Sequence, residues 1–339
     1  MRGSLLTTSE ARAPRSSRRG RPLIVVADGT FRERERLVET FSDVEFRFAD
    51  VSDPGTLPVV TEGAEGVVVA LQPLCAPHIA AFAPTVRVIG RAGVGTDTID
   101  LEAAAATGVT VVNQPSYGIK EVASHAVAML LALHRRLLAQ DAFVRNGWRG
   151  AMRLAPMKAL DELVVGLVGC GRIGAATAEM LSGLVAHIIA FDPADPPLPG
   201  GVERATELKD VLGRADVVSL HVPLTTATTG MVDSSFLSAM VPGALLINVS
   251  RGGLVDEPAL VTALGSGQLG GAALDVFSTE PLSPTSPLLK CRNTLFTPHS
   301  ASYSDRSMWR LATWTVGDTV GWVQADTIKH GSIVIRGTR

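Results

Sequence analysis

The chain is poor in cysteine, with only Cys75, Cys170 and Cys291 in 339 residues. Their odd number and wide scatter match neither a disulfide framework nor a zinc site, which points to a reducing, cytoplasmic setting. Aromatic residues make up 5%, so the core has to be built from Val, Leu, Ile and Ala. Charge of one sign is not in excess: 31 Lys and Arg stand against 33 Asp and Glu, a formal net charge of −2. That balance gives no electrostatic reason to expect nucleic acid or an anionic membrane as a partner. Long hydrophobic runs are missing too, and stretches such as Ala126 to Leu133 are too short to span a bilayer. No pair of histidines has metal-ligand spacing with a third ligand in view, so no metal is expected.

What is present is an ordinary globular balance, 46% hydrophobic and 19% charged. The length favours two domains over one core. The first twenty residues stand apart, with Arg2, Arg12, Arg15, Arg18 and Arg19 among small residues and a single acid, Glu10. Such a segment fits a targeting peptide or a disordered basic tail over 1–20; the missing amphipathic period favours the tail.

Ordered structure should begin at Leu23-Ile-Val-Val-Ala27, followed by similar short runs at Gly66 to Ala70, Val86 to Gly90 and Val109 to Asn113. Helical spacing lies between them, as from Arg32 to Phe41, so parallel strands with crossover helices are expected. A long helix is predicted from about Lys120 to Val144, with Val122, Met129, Leu130 and Leu133 recurring on one face. A second series of strands then runs through Leu163–Val168, Ile188–Phe191, Val217–Leu220, Ala244–Asn248, Gly271–Leu274 and Thr294–Phe296, the pattern of a doubly wound sheet.

Within that second series, Gly169-Cys170-Gly171-Arg172-Ile173-Gly174 is a GxGxxG set between an apolar strand and a helix rich in small residues. In that context Gly169 permits the tight turn, Gly171 lets a pyrophosphate approach the backbone, and Gly174 lets helix and strand pack closely. The helix N-terminus adds free N–H groups and partial positive charge for the phosphates. Asp192 ends the next strand about twenty residues on, where a carboxylate accepts hydrogen bonds from the adenosine ribose and repels a 2′-phosphate. No Arg or Lys follows it directly, so NAD is expected over NADP. His221, ending a strand before Val222-Pro223, is placed along the same cleft, whereas His125, His134 and His187 read as structural.

Three further islands carry polar residues at strand ends: Asn248 to Glu257, Asp275 to Pro281 and Thr297 to Ala301. Hydride transfer to or from a 2-hydroxy acid needs a cationic fork for the carboxylate, a proton carrier for the hydroxyl, and a group that orients the carrier. Arg251, His299 and Glu280 supply these residue types. Each alone also fits a bland role: a loop ion pair, a cap, a solvated acid before Pro281. Behind a dinucleotide loop the trio reads as chemistry.

These islands, with Arg91-Ala-Gly-Val-Gly-Thr-Asp97 and Ile99-Asp100, resemble the D-isomer-specific 2-hydroxyacid dehydrogenase family from about Leu23 to the final helix. The resemblance implies an α/β protein in which a Rossmann-type NAD-binding domain, expected over 118–301, is inserted into a flavodoxin-like substrate-binding domain over 21–117 and 302–339. It implies a homodimer built around the NAD domains and an active site in the interdomain cleft. It also assigns roles by position. Arg251, Glu280 and His299 become catalytic, and the backbone N–H groups of Val94 and Gly95 hold the substrate carboxylate. Arg172 and Ile173 join the phosphate loop, while Thr228 contacts the cofactor after the fourth strand. Val249 and Ser250 line the nicotinamide side with Arg251, and Asp275 holds the carboxamide.

Departures from the subgroups limit the substrate. Phosphoglycerate dehydrogenases usually carry Arg where Ala70 stands, phosphite dehydrogenases Lys at Val94, and formate dehydrogenases Gln at Glu280. The run from Pro298 to Ser304 is most similar to the C-terminal-binding-protein subgroup, but Ser302 replaces its Trp, which should open the substrate pocket near Tyr303. Ser124 replaces an acid usual at the start of the connecting helix. Specificity is expected from Gln72 to Cys75, Val94 and Tyr303. The resemblance to corepressors leaves a second function open, an NAD-responsive binding protein with little turnover.

Overall fold

The computed structural model describes residues 20–149 and 157–339. The expected basic tail, apart from Gly20, lies outside them. The described residues divide into two compact units: residues up to Pro115 together with Arg310–Arg339, and Ser116–Trp309.

In the first unit the chain alternates β1 (Leu23–Ala27), α1 (Arg34–Thr40), β2 (Glu45–Ala49), α2 (Leu57–Val60), β3 (Gly66–Val69), α3 (Ala76–Ala81), β4 (Val88–Arg91), α4 (Leu101–Thr107) and β5 (Thr110–Asn113). β1, β3 and β4 are buried along almost their whole length because helices cover both faces, which is why they read as unbroken Val and Ile runs. Local chemistry sets the helix ends. The Asp100 carboxylate accepts the Ala103 N–H at 2.9 Å to start α4, and Gly108 ends it at φ 74°.

The second unit opens with α5 (Ile119–His134) and α6 (Leu137–Arg145). The single helix expected from about Lys120 to Val144 is therefore two helices, bent by 58°. The cause is Arg136, whose φ of 53° breaks the i→i−4 ladder. Then follow β6 (Val164–Val168), α7 (Arg172–Leu181), β7 (His187–Phe191), β8 (Val202–Arg204), α8 (Leu208–Leu212), β9 (Val217–Leu220), α9 (Ser234–Ala239), β10 (Ala244–Asn248), α10 (Glu257–Ser266), β11 (Leu269–Leu274) and β12 (Thr294–Phe296). Helix α11 (Asp305–Ala325) begins in this unit, and its residues from Arg310 belong to the first, followed by β13 (Ser332–Ile335).

The first sheet has the order β13-β5-β4-β3-β1-β2, a flavodoxin-like parallel sheet extended by one strand. That strand, β13, pairs antiparallel with β5, so the chain returns as helix and strand, where the sequence pointed to a helix alone. The second sheet has the order β12-β11-β10-β9-β6-β7-β8, all parallel, a Rossmann-type sheet whose strand order reverses between β6 and β9. Its two faces carry separate cores. Val168, Val218 and Leu220 pack with Phe236 and Leu260 from α9 and α10. Val165, Leu167 and Val217 pack on the other face with Met129, Leu130 and Leu181 from α5 and α7. Among the described residues no single helix is long and apolar enough to cross a membrane.

Candidate active site

In the second unit the loops after β6, β7, β9, β10, β11 and β12 all lie at the carboxyl ends of parallel strands, where doubly wound sheets hold ligands. The loop after β6 is Gly169 to Gly174. Gly169 takes φ 92°, and a Cβ there would lie 2.8 Å from the His221 carbonyl. A Cβ on Gly174 would lie 2.4 Å from the Gly169 carbonyl oxygen, so only glycine lets α7 start this close to the strand. A Cβ on Gly171 would meet nothing within 4 Å. Open space therefore stands beside the middle glycine, at the N-terminus of a ten-residue helix whose first residues are Arg172 and Ile173. An elongated phosphate ester fits such a cradle.

Asp192 follows β7 directly. Its Oδ2 accepts the Cys170 N–H at 2.8 Å and its Oδ1 accepts the Ala194 N–H at 2.9 Å, which locks the carboxylate against the glycine loop. His221 follows β9. Its Nε2 pairs with Ser219 Oγ at 2.9 Å, while Nδ1 is buried without a partner. The residue keeps some surface, yet burial of the ring pushes its pKa down to about 4. Val222 packs close to Gly169, its Cγ1 2.9 Å from where a Cβ would stand. Thr228 works inside its own turn, donating to the Pro223 carbonyl at 2.7 Å and accepting the Thr225 N–H at 2.8 Å.

Beyond β10, the fully buried Asn248 staples its loop. Its Oδ1 accepts the Ser250 N–H at 3.0 Å and its Nδ2 donates to the Arg251 carbonyl at 2.8 Å. Ser250 Oγ donates to the Leu220 carbonyl at 2.8 Å, tying β10's end to β9, and Val249 is buried. Arg251 is half-buried, with Nη1 donating to the Ser250 carbonyl at 2.8 Å. Next to it, a Cβ on Gly252 would stand 1.8 Å from the Phe277 carbonyl carbon. The loops after β10 and β11 thus touch backbone to backbone, and any side chain at 252 would push them apart.

His299 Nδ1 lies 2.7 Å from Glu280 Oε2, with both side chains about three-tenths exposed. Glu280 Oε1 accepts the Phe277 N–H at 3.0 Å, leaving the carboxylate fixed at both oxygens. Burial pushes the Glu280 carboxyl up. The hydrogen bonds from His299 and Phe277, with the charges of His299 and Arg251, together outweigh it and hold the group below its ordinary value. Glu280 is thus the residue on which the charges of both His299 and Arg251 act.

The His299 loop is held from below by a residue expected at the cofactor. Asp275 is 1% exposed, and its carboxylate accepts Thr297 Oγ1 at 2.6 Å and the Ser300 and Ala301 N–H groups at 2.8 and 3.0 Å. Its carbonyl accepts the His299 N–H at 2.7 Å. The sequence marked Asn248 and Thr297 as members of polar islands and read His125 as structural, but their partners were not foreseen: His125 Nε2 lies 3.0 Å from Thr297 Oγ1. Such partners carry no periodic or motif signal. The acid missing at Ser124 is answered one turn earlier by Glu121, which accepts Ser304 Oγ at 3.1 Å. Tyr303 is exposed, with its N–H bound to the Ser300 carbonyl at 2.8 Å.

Val94 and Gly95 belong to the first unit, on the loop after β4, where Asn113 Nδ2 donates to the Val94 carbonyl. Gln72, also in that unit, spends its amide on the Ala70 N–H and the Asp28 carbonyl at 2.8 and 2.9 Å.

Residues 127–301 match the family profile described as "D-isomer specific 2-hydroxyacid dehydrogenase, NAD binding domain". D-3-phosphoglycerate dehydrogenase from Mycobacterium bovis is 36% identical over 86% of this chain and 55% of its own length. The chain thus spans about half the length of that relative. Glyoxylate reductase from Aeropyrum pernix is 33% identical over 90% of this chain and 93% of its own. Among solved structures, an NADPH-dependent glyoxylate/hydroxypyruvate reductase from Sinorhizobium meliloti, in complex with NADP and malonate, superposes with a TM-score of 0.84 at 32% identity. It covers 94% of this chain and 99% of that one. D-lactate dehydrogenase from Aquifex aeolicus, complexed with NAD and lactic acid, gives a TM-score of 0.80 at 28% identity, covering 89% and 96%.

Proposed function

Because this chain belongs to the D-isomer-specific 2-hydroxyacid dehydrogenase family, we propose that it is an oxidoreductase transferring a hydride between NAD(H) and a small 2-hydroxy or 2-oxo acid. The observation that carries this reading is the His299–Glu280 pair at 2.7 Å, on loops at the same sheet edge as the glycine cradle. The open space at Gly171 and the carboxylate of Asp192 suit a dinucleotide with a free ribose 2′-hydroxyl. Bound there, the nicotinamide supplies or receives the hydride.

The chain's own residues do the rest. Glu280 fixes the ring of His299 through Nδ1, which leaves Nε2 to give a proton to the substrate oxygen as a 2-oxo acid is reduced, or to take it in the reverse direction. Arg251 offers a planar fork to the carboxylate and carbonyl of the acid. Tyr303, in the same unit as Arg251, borders the acid's side chain. Glyoxylate, hydroxypyruvate and pyruvate head the substrates to test, given the relatives' activities.

NADH oxidation followed across a panel of 2-oxo acids tests the proposal, with NADH binding measured in parallel. His299→Ala should lower kcat by roughly 10²- to 10⁴-fold, the usual worth of a positioned acid–base group, and leave NADH bound. Binding without turnover of any acid by the unaltered chain would instead favour the NAD-responsive binding protein.

A further inference from the structure

The end of β7 is flanked by a strand from further along the sequence. β8 pairs with β7 in the register Ala190↔Arg204, and register partners in a parallel pair point to the same face. Asp192 lies two residues beyond Ala190, so Arg204 belongs to the strand that flanks the end of β7, where the proposed ribose-binding carboxylate follows. The Cys170 thiol, whose own N–H is held by Asp192, reports that proximity. Burial and the Asp192 charge push the thiol up, and the Arg204 charge opposes them.

Arg204 is not free to act on a ligand as it stands. Its Nη1 lies 2.5 Å from Asp195 Oδ1, and its Nη2 donates to the Pro196 carbonyl at 2.5 Å. Both partners lie in the turn that follows Asp192. The Asp195 N–H bonds to the Asp192 carbonyl at 3.1 Å, and Asp195 sits at φ 50°, a conformation that Asp and Asn tolerate. The turn therefore sets one carboxylate and one backbone carbonyl on the Arg204 guanidinium, while the Asp192 carboxylate is held by the Cys170 and Ala194 N–H groups. The pair is also weakly held, since Asp195 is 77% and Arg204 37% exposed in their side chains. Exposed ion pairs of this kind are easily exchanged for a stronger anion.

We propose that Asp195 and Arg204 form a charge latch that sets the dinucleotide preference. Closed, it neutralises Arg204 and leaves Asp192 to select a free 2′-hydroxyl; opened, it turns Arg204 into a receptor for the 2′-phosphate of NADP(H). The guanidinium fork matches a phosphate dianion better than a lone carboxylate. This rests on the proposed dinucleotide site. It adds to the expectation that no Arg or Lys follows Asp192 directly, because this cation comes from the neighbouring strand.

The test is a double-mutant cycle read by calorimetric binding of NADH and NADPH to the full chain, with Asp195→Asn, Arg204→Gln and the double variant. Asn keeps the left-handed turn, so the fold is preserved, and circular dichroism checks it. Asp195→Asn should raise the ratio of NADPH to NADH affinity about tenfold, an increase that shrinks with added salt. Adding Arg204→Gln should abolish the increase. A rise that persists in the double variant means that removing the Asp195 charge suffices, and the latch is overturned; so does an unchanged ratio in Asp195→Asn. Failure of every form to bind either dinucleotide would overturn the dinucleotide site itself, and the latch with it.

Discussion

At the scale of single residues, Glu280 is the most informative, because its environment pulls its ionisation two ways. Burial favours the acid form, while His299, the Phe277 N–H and Arg251 favour the anion and prevail. A carboxyl whose folded pKa lies below its unfolded value binds fewer protons in the native state. Its stabilisation is therefore fully present above the ordinary value of 4.5 and is lost as pH falls through the lower folded value. Glu280→Gln should make stability fall less steeply on acidification below that point, measured by urea unfolding at stepped pH. The same variant should lower kcat by roughly 10²-fold with a smaller change in KM, since an amide orients the imidazole without balancing its charge. Equal kcat in the two proteins would remove Glu280 from the proposed mechanism.

At the scale of elements, the return of the chain into the first unit hangs on one buried carboxylate. Asp318, on α11 and 1% exposed, accepts the Lys329, His330 and Gly331 N–H groups at 2.7, 3.1 and 2.6 Å and the Gln114 amide at 3.0 Å. It clasps the turn that reverses α11 into β13, and β13 then completes the edge of the sheet against β5. Asp318→Ala would strand the buried Gln114 amide and three part-buried N–H donors at once, and a loss of about 1–3 kcal/mol follows from ordinary desolvation costs. Denaturant titration of the variant should show that loss as a lowered midpoint. A midpoint within error of the unaltered chain would mean that water replaces the carboxylate.

At the scale of the whole molecule, the glycine cradle and the His299–Glu280 pair both lie in the second unit, and dinucleotide binding should report on that unit alone. A ligand that binds only the folded state at a hundredfold excess over Kd stabilises by about 2.7 kcal/mol. NADH and ADP-ribose should both raise the thermal midpoint of the unit that contains the glycine cradle, because ADP-ribose keeps the pyrophosphate and lacks the nicotinamide. Gly171→Val fills the open space at the cradle and should abolish both shifts while leaving the unliganded midpoint nearly unchanged, since nothing lies within 4 Å of that Cβ. A shift that survives the substitution would place the ligand elsewhere.

The sequence by itself determined the parts whose cause is local or periodic. Apolar runs such as Leu23–Ala27 and Val217–Leu220 had to be buried strands, and Gly169, Gly171 and Gly174 had to be a turn into a helix. It missed β2, where Glu45-Phe-Arg-Phe-Ala49 mixes charge with aromatics at a sheet edge, and it ran α5 and α6 together because a left-handed Arg136 leaves no mark on hydrophobic spacing. Arg251, Glu280 and His299 were legible as residue types, separated by 29 and 19 positions of chain. Only the tertiary structure set His299 Nδ1 2.7 Å from Glu280 Oε2, put Asp275 beneath their loop, and paired Arg204 of β8 with Ala190 of β7. Those relations come from strand order and register, which depend on how separate strands pair, and no neighbouring residue in the chain encodes them.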